Sequence, residues 1–311
     1  MMAVRLVKKR HIKKKVVSYV SITRPFVKWL LPIFSVMGGS IMALGRLPTG
    51  GEWTLVLIAL LIFGPLTQGI AIRSVNDLFD HKTDMKRRKN DRFRNFRPLV
   101  YGGLTRHEVA TFAFFGHAVA VLAAFIFLNK VAGTILVLTL IGSWIYSAPP
   151  MRLRRIFWTQ NALIGLFYCV GFYLVGWSLF GNWQAAPFQI FPWLFMAGFF
   201  GSVLKDFSDI AEDKAHGIKT LPVLVGPRKA AKIVKIGYTL TYFLIGITSY
   251  LSGFPVDTVT LSFLFIIPAY LVGHEIERNW KERGQVLMAI GILSYLFWLL
   301  LFSLIYSGVI G

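Results

Sequence analysis

Apolar residues in this chain come in runs near the length of a bilayer core, recurring from residue 26 to 308 and separated by basic loops. Nine runs are predicted as spans, near 26–46, 53–78, 107–128, 131–148, 158–180, 188–209, 230–251, 257–274 and 285–308. A backbone surrounded by lipid must satisfy its own hydrogen bonds. The short alternating segments of a barrel are missing, so the spans are expected to be helices. The pattern predicts an all-α, polytopic membrane protein, with residues 1–25 as a basic cytoplasmic segment and 26–311 as one transmembrane domain.

Composition agrees with the pattern. Hydrophobic residues make up 55% of the 311 and charged residues 15%, where a soluble domain of this length carries about a quarter charged. The formal net charge of +20 has a topological origin. If the nine spans alternate, 31 of the 34 Lys and Arg fall on one side, leaving Arg46 and Lys130 in opposite loops and Arg73 inside the second span. That asymmetry predicts a cytoplasmic N-terminus and an external C-terminus. It also removes the need for a nucleic-acid partner, since no aromatic–basic binding module accompanies the charge. The N-terminal run Lys8 to Lys15 can lie against anionic headgroups, and no short apolar stretch with a cleavage site follows it. Cys169, the single cysteine, can form neither an internal disulfide nor a zinc site and is expected to pack.

Against this background the acidic residues stand out. Two helix ends carry D-x-x-D-x-x-x-D, one within Asn76-Asp77-Leu78-Phe79-Asp80-His81-Lys82-Thr83-Asp84 and one within Lys205-Asp206-Phe207-Ser208-Asp209-Ile210-Ala211-Glu212-Asp213, offset by 129 residues. Arg97-Pro98-Leu99 with Gly102 is echoed by Leu221-Pro222-Val223 with Gly226, which suggests an internal duplication. An even number of spans separates the copies, so both motifs emerge on one face and can meet across a cavity. On a helix, Asn76, Asp80 and Asp84 form one stripe, as do Asp206, Asp209 and Asp213. Carboxylates so placed repel, and a divalent cation supplies the missing charge. Oxygen donors without Cys or paired His suit Mg²⁺. His81 and His216 each lack a second His at ligand spacing and read as loop histidines.

These motifs resemble those of the UbiA prenyltransferase superfamily. The match rests on N-D-x-x-D-x-x-x-D at Asn76 to Asp84, D-x-x-D-x-x-x-D at Asp206 to Asp213, Arg97-Pro98-Leu99, and the loop Tyr146-Ser147-Ala148-Pro149-Pro150 with Arg152-Leu153-Arg154. The segment Val100-Tyr101-Gly102 departs from the Pro or Ser that many relatives place before the Gly. The resemblance implies about nine helices around a central cavity that opens sideways to lipid and is capped by the motif loops. It implies an enzyme that ionises a prenyl diphosphate, geranylgeranyl-like in length, and alkylates a lipophilic acceptor. The acceptor is either ring-bearing, such as a quinone precursor or tetrapyrrole, or a glycerol-phosphate lipid; the motifs are shared by chlorophyll-synthase-like and digeranylgeranylglyceryl-phosphate-synthase-like branches.

Two Mg²⁺ are implied, bridging the diphosphate to Asn76, Asp80, Asp84, Asp209 and Asp213, with Asp77 and Asp206 as further candidates. Lys205, Arg97 and Arg152 are the candidate holders of the leaving group, as charge-assisted donors. Tyr146 is a candidate substrate contact. Arg73, one turn before Asn76, either snorkels or faces the polar site; Asn161 either orients the acceptor or bonds a neighbouring helix. A secondary transporter is the alternative, since it too combines many spans with a repeat and buried polar groups, but it would place those groups at the bilayer midplane. A phosphatidyl-alcohol transferase is disfavoured because D-G-x-x-A-R is missing.

Overall fold

The structure, a computed structural model, describes residues 14–24, 29–85, 97–101 and 103–310, with the side chains of 82–84, 282, 284 and 285 excepted. The basic run up to residue 13, Lys28, Gly102 and the Asp84 carboxylate therefore lie outside the described residues. A short helix α1 (14–22) precedes α2 (Leu30–Leu44). The second span is one continuous rod made of α3 (Gly51–Leu61), a π-helical stretch Ile62–Ile72 and α4 (Arg73–Asp84). Then come α5 (Arg106–Phe127), α6 (Lys130–Ser147), α7 (Phe157–Ile164), a second π-helical stretch Gly165–Gly171 and α8 (Phe172–Ser178). The chain continues as α9 (Phe191–Asp206), the short α10 (Ile210–Ala215) and α11 (Leu221–Val225), and finally α12 (Pro227–Leu251), α13 (Val256–Leu264) and α14 (Ile266–Tyr306).

Eight helical segments among the described residues are long and apolar enough to cross a membrane, and α2 supplies a shorter apolar ninth of 15 residues. At 1.5 Å per residue α2 reaches about 22 Å, short of the hydrocarbon core. The predicted loop 275–284 is instead helical, bent at Asn279 where φ is −129° and ψ is 29°. Its first two acidic residues have partners: Glu275 Oε1 accepts from Asn279 Nδ2 at 2.7 Å and from Arg283 Nη1 at 3.2 Å, and Glu277 accepts from Lys235 Nζ at 2.6 Å.

Local sequence explains the element ends. Thr105 and Glu108 form a reciprocal capping box at the start of α5. Asn129 caps α6, its side chain accepting from Ala132 N at 2.9 Å. Pro65 sits inside the first π-helical stretch, where its missing N–H disturbs the ladder; nearby, Thr67 Oγ1 donates to the Ile62 carbonyl at 2.7 Å. In the second stretch Ser35 Oγ reaches the Tyr168 carbonyl at 2.9 Å.

α2 crosses α8 at backbone contact. A Cβ on Gly39 would lie 2.0 Å from the Tyr173 carbonyl oxygen, and one on Gly176 would lie 1.9 Å from that of Val36. Ser40 Oγ ties the crossing, donating to Val36 O at 2.9 Å or Gly176 O at 3.2 Å. Small residues and a serine are what helix pairing in lipid requires. Below this crossing a dense aromatic core of Tyr173, Tyr242, Trp298 and Phe302 fills the bundle, all fully buried.

Candidate active site

A cavity of about 190 Å³ opens between the spans. Its polar end is formed by Arg73 and Asn76 from α4, Tyr146 from α6 and Lys205 from α9. Its apolar walls include Ile72, Leu163, Ile164, Phe167, Met288 and Ile292. Both π-helical stretches contribute, through Gln68 and Ile72 in the first and Phe167, Tyr168 and Cys169 in the second. Widened turns aim these side chains inward where a regular helix would rotate them past.

Asn76 lies four residues before Asp80 on the same helix, so Asp80 sits one turn, about 5.4 Å, beyond a residue that lines the polar end. The first motif keeps its predicted stripe because Arg73–Asp84 is continuous helix. The second does not. α9 ends at Asp206, the chain turns through Phe207 and Ser208, and Asp209 precedes α10. Asp206 consequently leaves the helical stripe and is buried, with Gln160 Nε2 donating to its two oxygens at 3.1 and 3.0 Å and Lys205 Nζ forming an ion pair at 3.6 Å from Oδ1.

Residues 147–160 join the two motifs. Ser147 Oγ donates to Asn76 Oδ1, Arg152 Nη2 donates to the Phe79 carbonyl at 3.1 Å and lies 3.8 Å from Asp80 Oδ1, and Arg154 Nη1 pairs with Asp80 Oδ2. On the other side, Lys219 N donates to the Arg155 carbonyl at 3.0 Å, and Gln160 holds Asp206. Arg152 adopts φ 44° to make this turn. The segment thus straps the first motif to the second across the cavity mouth.

The second motif is short of positive charge. Burial, then the Asp209 charge, push the Asp213 carboxyl up to about 6, with Lys205, a hydrogen bond from Thr220 and Arg154 pulling the other way. Thr220 Oγ1 donates to Asp213 Oδ2 at 3.2 Å, and Ser208 Oγ donates to Asp209 Oδ1 at 3.2 Å. Among the described residues no three His, Cys, Asp or Glu side chains converge on one point. The oxygen-only donor set and the repulsion between Asp209 and Asp213 nonetheless fit a hard divalent ion.

The other candidates fall in different places. Asp77 is buried and pairs with Arg24 at 3.1 Å. Arg97 is buried but does not line the cavity. Asn161 is fully buried and does not line the cavity either, its Oδ1 accepting from Ser202 Oγ at 2.9 Å, which is a bond between helices. Arg154, Gln160 and Gln68 were not among the candidates. Arg154 stood in the quoted loop motif; Gln160 and Gln68 carried no signal beyond being polar within an apolar run.

The model of the UbiA prenyltransferase family matches residues 31–301. The digeranylgeranylglyceryl phosphate synthase of Thermococcus kodakarensis is 27% identical over 93% of this chain and 98% of its own length. The bacteriochlorophyll synthase 33 kDa chain of Cereibacter sphaeroides is 27% identical over 67% of this chain and 66% of its own. A solved UbiA homologue from Archaeoglobus fulgidus, bound to DMAPP and Mg²⁺, superposes with a TM-score of 0.71 at 21% identity, over 94% of this chain and 100% of that one. The chain belongs to the UbiA prenyltransferase family and is an integral membrane prenyltransferase.

Proposed function

We propose that the chain transfers a geranylgeranyl-like prenyl group from its diphosphate to a lipophilic acceptor, on the cytoplasmic side of the membrane. The reading rests on one observation above all: a cavity with apolar walls whose polar end carries Arg73, Asn76 and Lys205, residues of the helices that lead into the two Asp motifs. The bound prenyl diphosphate and Mg²⁺ of the Archaeoglobus fulgidus homologue support it.

Asp80, Asp84, Asp209, Asp213 and Asn76 are assigned to hold Mg²⁺, two ions where the first and second motifs each take one. Mg²⁺ supplies neutralisation of the charge that builds on the leaving diphosphate. Lys205 binds the diphosphate directly from the cavity wall. Arg154 and Arg152 keep Asp80 in place, and Asp77 and Asp206, each buried with a side-chain partner, support the motif helices. Arg97 is assigned to the framework of the mouth. The apolar walls hold the prenyl chain and exclude water as the allylic C–O bond breaks, its electron pair leaving on the diphosphate. Arg73 and Tyr146, which line the cavity, then orient the acceptor, which forms the new bond to the allylic carbon and releases a proton; Asn161 serves the packing of α7 on α9 through Ser202.

The acceptor is a glycerol-phosphate lipid or a ring-bearing molecule; the near full-length match to a digeranylgeranylglyceryl phosphate synthase favours the former. The deciding assay is Mg²⁺-dependent diphosphate release from geranylgeranyl diphosphate by purified protein, run against glycerol-phosphate, aromatic and tetrapyrrole acceptors. Release with one acceptor, abolished by EDTA and restored by Mg²⁺, is expected. No release with any acceptor or prenyl length would overturn the reading.

A further inference from the structure

α1 is too short to cross a bilayer and too apolar on one side to face water. Ser18 and Ile22 turn inward, Ile22 packing in a cluster with Leu99, Leu104 and Val109. On the opposite face Val16, Val17 and Val20 are 56%, 55% and 56% exposed, and their spacing makes one contiguous patch. Lys15 pairs with Glu108 at the start of α5, which sets α1 at the level where that span enters the membrane. The chain around it is strongly basic: residues 1–15 contain seven Lys or Arg, and the first acidic residue is Glu52. An apolar stripe flanked by such charge, at the rim of a membrane domain, matches a helix lying in the headgroup plane.

The end of α1 leads straight to the candidate active site. Arg24 N donates to Ser21 O at 3.1 Å, and Arg24 turns back with φ 48°. Its Nη2 then reaches Asp77 Oδ1 at 3.1 Å. Asp77 is the neighbour of Asn76, which lines the cavity. We propose that α1 is a membrane-surface anchor that seats on anionic phospholipid in the leaflet facing the Asp motifs, and that this seating positions Arg24 against Asp77. Arg24 is a positioning residue here, acting on the first motif through Asp77.

The test uses the full chain with Val17→Cys carrying an environment-sensitive fluorophore, since Cys169 is buried. Vesicles are phosphatidylcholine alone or with phosphatidylglycerol. The label is expected to shift to the blue with phosphatidylglycerol, and Lys13→Gln and Lys14→Gln should each reduce the seated fraction about 5-fold in the limit of weak seating. An identical label spectrum in both vesicles would overturn the anchor, as would a shift that follows protein density instead of lipid charge, which would mean a second copy covers the face.

The link to the site rests on the prenyl-transfer reading and has its own readout. Wild-type turnover should rise several-fold with phosphatidylglycerol. Val16→Gln with Val20→Gln should lose that rise while keeping the rate in phosphatidylcholine, and Arg24→Gln should lose the rise while its label still shifts. Equal wild-type rates in both vesicles would overturn the link. An inactive chain whose label still responds would count against prenyl transfer and for the anchor.

Discussion

At the residue scale, the acidic side chains divide by what already neutralises them. Asp77 has Arg24, Asp80 has Arg154 and Arg152, and Asp206 has Gln160 and Lys205. Asp209 and Asp213 remain as adjacent carboxylates whose repulsion is only partly offset, so they have the most to gain from a cation. Asp209→Asn should lower turnover by at least about 10²–10³-fold and leave the thermal unfolding profile unchanged; retained activity would remove Asp209 from the metal set. Lys205→Ala should raise the KM for prenyl diphosphate by about 10–100-fold, the scale of a lost hydrogen bond to a charged group, with the acceptor KM little changed. An equal rise for both substrates would place Lys205 elsewhere in the mechanism. The motifs themselves were readable, because two copies of one acidic spacing in a chain with 14 acidic residues stand out from a basic background. Their separate fates were not: the pairing of Asp80 with Arg154 and of Asp206 with Gln160 joins residues 74 and 46 positions apart, and no local pattern encodes that.

At the element scale, periodicity located the spans and missed their irregularities. A run of apolar residues looks the same whether its turns are α or π, so the stretches Ile62–Ile72 and Gly165–Gly171 were invisible although they shape the cavity wall. The break after Asp206 was hidden for a similar reason, since i, i+3, i+7 spacing suits an unbroken helix and only tertiary contacts turn Asp206 away. The α2–α8 crossing is a further case, where glycines that look merely permissive in sequence meet backbone to backbone. Gly176→Ala would drive a methyl into the Val36 carbonyl, and neither helix can yield without breaking the Ser40 contact. The expected cost is about 3 kcal/mol or more, at the upper end of overpacking, read as a lower melting temperature in detergent. An unchanged melting temperature would show that the two helices separate freely.

For the whole molecule, the strap at 147–160 ties the two Asp motifs together at one end of the bundle, the end at which the proposed diphosphate chemistry would occur. Alternating spans would put 31 of the 34 Lys and Arg on one side, a strong orientation bias because basic loops resist translocation. The expected orientation therefore has the Asp motifs facing the cytoplasm and the C-terminus facing out. Thiol labelling can test this cleanly, since Cys169 is buried and gives little background. Ile310→Cys, exposed at the C-terminal end, should react with a membrane-impermeant maleimide on intact cells. Lys219→Cys, exposed beside the second motif, should react only after permeabilisation. The reverse pattern would mean the enzyme draws its prenyl diphosphate from outside the cell, where a soluble supply of that substrate is hard to sustain, and would force a different account of the basic loops.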